Sequence, residues 1–248
     1  MNAMSMQVPP FTPVVKRLAI TMCLVWFVIQ ILCDKVFKLN LSTWFLLHPD
    51  QVIEKFWVWQ LMTYMFFHAL SPMHLVFNLL TLWFFGSELE KQWGAKFFTL
   101  YFFTCGIGAA FLYCASVAAY AAITGVQTPL MIPVLGASGA LFGLLVAYGI
   151  IFAERMMIFL IFPMKAKYFV MVAAGLDFVS LLSTGFAGSE VAYLAHLGGA
   201  LVGFLFLMGH TRWKLKNTKS KLKKKATGLR LVVDNEKLKN EDGPKYWN

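Results

Sequence analysis

The sequence predicts an all-α, polytopic membrane protein built as a bundle of six transmembrane helices, and three observations lead there. The 248 residues are 59% hydrophobic and only 14% charged, with a mean hydropathy of +0.65, far too apolar for a domain that must wet its whole surface. Six apolar stretches each reach the roughly 20 residues that a spanning helix needs. Basic residues gather at alternate ends of those stretches, as they do on the cytoplasmic face of a membrane.

The first span is expected over 15–34, retained as a helix because no small-residue cleavage site follows it. The others are expected over 72–89, 97–122, 136–153, 166–182 and 190–209. Lys16 and Arg17 precede the first, Lys91 and Lys96 follow the second, and Arg155, Lys165 and Lys167 separate the fourth from the fifth. These places, with both termini, read as cytoplasmic. The segment from Lys35 to Ser71 falls on the other side; its Trp44, Phe45, Phe56, Trp57 and Trp59 suit the membrane interface better than water. No internal repeat supports an inverted-repeat transporter.

The chain divides into a short N-terminal segment (1–14), the membrane domain (15–209) and a basic tail (210–248). From Arg212 onward 12 Lys and Arg face four acids, so the tail carries +8 of the +10 net charge. A lysine-rich run directly after an apolar span marks topology and touches anionic lipid; it gives no reason to expect a nucleic acid. The tail is either disordered or laid on such lipid. Cys23, Cys33, Cys105 and Cys114 lack ligand spacing and read as free, apolar thiols. No metal or other cofactor is implied.

Polar side chains at membrane depth are costly, so each is a functional hypothesis. Ser71-Pro72 reads as the start of the second helix, with Ser71 as N-cap. This places His74 and Asn78 one turn apart on one face, a donor pair of the kind an oxyanion needs. Ser138, between Gly136 and Gly139, opens the fourth span, where the unpaired N–H groups and the dipole favour developing negative charge. The hydrolase elbow G-x-S-x-G is not formed, since Ala140 stands two residues after the serine. His196 lies in the sixth span, and Gly199-x-x-x-Gly203 beside it can pack on Gly139-x-x-x-Gly143, bringing serine and histidine together. The only acid well inside a span, Asp177, reads as structural, which leaves a Ser-His pair whose histidine is placed by packing alone.

In order along the chain, "WQLMTYMFFHALSPMHLVFN", "FGSELEKQWG", "GASGALFG", "FPMKAKYF" and "AHLGGALVG" resemble the rhomboid family of intramembrane serine proteases. The resemblance implies a six-helix core in a bacterial inner membrane, with a site reached from within the bilayer. It implies Ser138 as nucleophile and His196 as general base, with His74, Asn78 and the Ser138 N–H holding the oxyanion. Its partners would be membrane proteins whose transmembrane segments are cut, helix-destabilised segments being favoured. Two departures stand out: Trp59-Gln60 replaces the Trp-Arg of many members, and Phe142 stands where some carry a tyrosine packed on the base histidine. The segment "STGFAGSE" from Ser183 to Glu190 reads as a lid. The rival readings are an inactive rhomboid-like protein that binds membrane helices, and a channel lined by His74, Asn78 and His196; the spans are too dry for the channel.

Overall fold

The computed structural model describes residues 9–159, 162–184 and 192–227. Contacts group the chain into two units, Met1–Leu207 and Met208–Asn248. Four described helices are long and apolar enough to cross a membrane: Pro13–Val36, Ala95–Thr124, Ala166–Ser183 and Tyr193–Ser220. A shorter apolar helix covers Ser138–Ile151.

Helix α1 runs over Pro13–Val36, its second half (Val25–Val36) wound as a π-helix. Its start is set by a residue far away in sequence. Pro13 stands at the first helical position, where a missing N–H costs nothing. The Glu90 carboxylate then accepts from the Thr12 hydroxyl and from the N–H groups of Val14 (3.0 Å) and Val15 (3.0 Å). An acid at a helix N-terminus satisfies orphan donors and meets the positive end of the dipole.

The connection from α1 to the next long helix is short helices joined by hydrogen bonds, not a slack loop. The Asp34 carboxylate accepts from the N–H of Ser42 (2.9 Å) at the Leu41–Trp44 turn. Gln60 is fully buried: its carbonyl accepts from His48 N–H (3.0 Å) and its amide donates to Gln51 Oε1 (2.8 Å). A glutamine thus ties this segment, supplying one acceptor and one donor without a buried charge. Trp44, Trp57 and Trp59 stack in a row, and Trp44, Phe56 and Trp59 stay exposed, as an interfacial segment requires. An antiparallel bridge from Leu47 to Val134 fastens it to the bundle.

Helix α2 is three helical pieces in succession, Pro72–Thr81, a π-helical turn over Leu82–Gly86, and Ser87–Trp93. Pro72 opens it as the sequence predicts, but Ser71 makes no side-chain cap bond. Helix α3 (Ala95–Thr124) is the core element, burying Phe98, Tyr101, Phe102, Cys105, Ala109 and Tyr113. Helix α4 (Ser138–Ile151) lies against it, with the Tyr101 hydroxyl donating to Gly143 C=O (2.8 Å).

The all-α expectation has one exception. Strands β1 (Met156–Phe159) and β2 (Phe162–Lys165) form an antiparallel hairpin after α4. Its base is clamped by charge: Lys165 (2.6 Å) and Lys167 both reach Glu154, and their hydrogen bonds hold the Glu154 carboxyl down at about 2. Arg155 pairs with Glu88 and donates to the Tyr148 hydroxyl (3.0 Å). An apolar run too short to span, pinned at both ends, satisfies its backbone by pairing with itself.

Helix α5 covers Ala166–Thr184 and α6 covers Ala192–Thr227. Four of the six expected spans thus fall on unbroken helices of full spanning length, and the other two on α2, which is divided into three pieces, and on the shorter α4. The last helix continues past the expected end at 209, so the tail is helical as far as Thr227. In the second unit, Arg212, Lys214, Lys216 and Lys219 all lie exposed along that helix. The remainder of the tail, 228–248, lies outside the described residues.

Replacing Glu90 by Ala removes a shared acceptor from three buried or half-buried donors. It should cost about 2 kcal/mol of stability, read as a lower midpoint of thermal unfolding in detergent micelles, with Glu90→Gln losing less.

Candidate active site

Ser138 is the first residue of α4, at the end where backbone N–H groups lack partners within the helix. It lies there because Gly136 takes a backbone conformation, φ +113°, that side-chain-bearing residues rarely adopt. The Gly136 N–H donates to Tyr64 C=O (3.0 Å), which holds the turn against the outer segment. A Cβ on Gly136 would come within 3.1 Å of His74 Cε1 and Nε2 and 3.7 Å of Ser138 Oγ. Glycine therefore clears the space between the imidazole of His74 and the hydroxyl of Ser138.

His196 reaches that hydroxyl from α6. Its Nε2 lies 2.6 Å from Ser138 Oγ, and Phe142, one turn into α4, stacks flat on its ring with centroids 4.5 Å apart and planes 8° from parallel. The absence of a tyrosine hydroxyl at this position leaves the stacking intact. Helix α6 can come so close because both faces are bare. A Cβ on Gly199 would fall 1.9 Å from Gly139 O, one on Gly143 would fall 3.2 Å from Gly199 O, and one on Gly203 would fall 3.0 Å from Gly143 Cα. The paired small-residue faces expected from the sequence are the contact that sets serine and histidine at one depth.

The environment of His74 identifies its protonated nitrogen. Its Nδ1 accepts from Ala69 N–H (3.1 Å), so in the neutral ring the proton is on Nε2, the nitrogen facing the gap beside Ser138. Asn78 sits one turn further on, buried, its amide donating to His74 C=O (2.8 Å). His74 is thus a donor aimed at the site, while Asn78 braces the same turn of helix. Behind them lies His68, fully buried, its ring edge-on to His74 with centroids 5.4 Å apart. Helix α1 holds it through the Gln30 carboxamide, which accepts from the N–H (2.9 Å) and donates to the C=O (2.6 Å) of His68.

One expectation is overturned. Asp177, read from the sequence as a structural acid, has Oδ2 2.6 Å from His196 Nδ1, and both side chains are largely buried, at 15% and 16% exposure. The histidine is therefore placed by an acid as well as by packing. The signal was available, since a carboxylate at membrane depth needs a partner; no spacing within one helix could connect α5 to α6. The contributions of Tyr64, Gln30 and His68 were not legible either. The lid expected over Ser183–Glu190 lies, beyond Thr184, outside the described residues. Among the described residues no three His, Cys, Asp or Glu side chains converge as a metal site requires.

Comparison with known proteins fits this arrangement. The family model of the rhomboid domain matches residues 55–212. The chain is 34% identical over 139 residues to "Rhomboid protein 1, mitochondrial" of Saccharomyces cerevisiae, covering 54% of this chain and 36% of that protein. It is 31% identical over 169 residues to "RHOMBOID-like protein 1" of Arabidopsis thaliana (65% and 38%). It is 32% identical over 146 residues to "Rhomboid protease GluP" of Bacillus subtilis (59% and 25%). The matched stretches therefore span only a quarter to two fifths of these relatives' lengths.

Burial lowers His68 from its ordinary 6.5 to about 4, and the nearby His74 adds to this. Between those values an unfolded chain binds a proton that the folded chain refuses, so the contribution is intact above pH 6.5 and is lost as pH falls towards 4. Thermal midpoints measured across that range should fall more steeply for wild type than for His68→Leu.

Proposed function

Because the chain belongs to the rhomboid family, we propose that it is an intramembrane serine endopeptidase that cuts peptide bonds in or near the transmembrane segments of other membrane proteins. The observation that carries this reading is the 2.6 Å contact between Ser138 Oγ and His196 Nε2 in a site cleared by Gly136. A hydroxyl is a weak nucleophile until a base within hydrogen-bond reach takes its proton.

In this reading His196 Nε2 removes the proton as Ser138 Oγ attacks the scissile carbonyl carbon. The carbonyl oxygen becomes an oxyanion, held by His74 Nε2–H, the Ser138 N–H at the start of α4 and the Asn78 amide N–H that is not engaged with His74 C=O. Collapse breaks the C–N bond, and the proton on Nε2 passes to the departing amine. Water then attacks the acyl-enzyme by the same route and frees Ser138. A substrate bond locked in a helix has its carbonyl engaged, so the substrate must unwind locally before it can be cut.

The chain is a multi-pass membrane protein, and we infer six crossings, with the three-piece α2 and the shorter α4 as two of them. Leu176, Phe178, Val179 and Leu182 on the outer half of α5 are exposed, which suits a site that substrates approach sideways through lipid. The charge distribution supports a topology with both termini and the β-hairpin on the cytoplasmic side.

Purified full-length chain in liposomes should cleave a helix-destabilised single-span substrate and take a fluorophosphonate label. Ser138→Ala should abolish both, His196→Ala should reduce cleavage to background, and His74→Ala should slow it about 10²- to 10³-fold. A folded wild type that retains substrate without cleaving or labelling would instead mark an inactive helix-binding protein.

A further inference from the structure

The exposure along α5 isolates one residue. Leu176, Phe178 and Val179 are 59%, 52% and 62% exposed, yet the Asp177 side chain between them is only 15% exposed and turns inward to His196 Nδ1. A carboxylate on a lipid-facing helix is expensive unless its position does something for a partner.

What it does follows from donor and acceptor chemistry. An ionised carboxylate only accepts, so the 2.6 Å contact requires the proton of the neutral imidazole to be on Nδ1. Nε2 then carries a lone pair, and the Ser138 hydroxyl, 2.6 Å away, donates to it. The opposite tautomer would present an N–H to the serine and could not take its proton. Phe142 stacked on the ring fixes its plane, but a flat stack leaves the ring free to turn within that plane. The carboxylate at Nδ1 and the hydroxyl at Nε2 fix the direction.

Resting on the protease reading above, we infer that Asp177 is a positioning residue for His196, so that this chain works with a Ser-His-Asp triad spread over α4, α6 and α5. As Ser138 Oγ forms its bond to the carbonyl carbon, the hydroxyl proton moves to His196 Nε2. The imidazolium so formed keeps its Nδ1–H, and the Asp177 carboxylate stays ionised beside it, balancing the new charge where little water can. The Nε2 proton then leaves with the amine, and the neutral tautomer is restored. This inference gives the acid on α5 a role that simple helix tethering does not.

The test uses full-length chain in liposomes with a single-span model substrate, and compares wild type, Asp177→Asn and Asp177→Glu. Asn keeps the size but removes the charge and the acceptor-only character. It should lower kcat about 10²- to 10⁴-fold, leave KM unchanged, and slow fluorophosphonate labelling of Ser138 in parallel. Glu should recover part of kcat. Rates are taken per folded site, counted by unfolding midpoint and labelling end point, so that poor folding of either variant does not imitate the effect. Equal kcat per folded site in wild type and Asp177→Asn overturns the inference while leaving the protease reading standing. So does a loss of kcat fully matched by loss of folded protein. A folded wild type that neither cuts nor labels overturns the protease reading first, and this inference with it.

Discussion

Polar groups at membrane depth must satisfy one another, because lipid offers them nothing. The site obeys this constraint through a contact that is itself apolar: the meeting of α4 and α6 at Gly139 and Gly199, where even a methyl group would collide with backbone. With the helices that close, a hydroxyl on one and an imidazole on the other fall within 2.6 Å. The carboxylate of Asp177 completes the line from a third helix. No residue in the line could be exposed to lipid at low cost, so the polar groups and the small residues depend on each other.

The rest of the fold holds that meeting point from outside. Tyr64 reaches into α3, its hydroxyl donating to Gly106 C=O (2.8 Å), while its own carbonyl fixes the turn before Ser138. The aromatic segment after α1 is thereby joined both to the core and to the turn before Ser138. On the opposite side, Glu90 joins the end of α2 to the start of α1, and Arg155 joins the end of α4 to Glu88 on α2. Apart from the Asp177 carboxylate, the ties nearer the site are made by hydroxyls, imidazoles, amides and close-packed glycines.

Much of this was legible in the sequence because membranes simplify the physics. Apolar length marked helices over all six expected stretches, Pro72 opened α2, and Gly136, Ser138 and Gly139 opened α4. The spacing of Gly199 and Gly203 announced a close helix contact. His74 and Asn78 were legible as a pair because i, i+4 geometry is local. What escaped was everything that connects separate helices through one polar contact. Asp177 to His196, Glu90 to the start of α1, and Gln30 to His68 each depend on which helices are neighbours, and no periodicity encodes that. The β-hairpin escaped for a different reason: an apolar run of that length has no alternation to distinguish a strand from a turn of helix.

The 1.9 Å approach at Gly199 also bears on how such a chain can change over time. Most lipid-facing positions on α5 accept almost any apolar residue, so their sequence is free to drift. At the α4–α6 joint no single step away from glycine is open, and a compensating change has no room to come first. A saturation survey would therefore show a mosaic, with a few immovable glycines among freely variable neighbours. The immovable ones would trace the axis of the joint even in a protein whose chemistry had been lost.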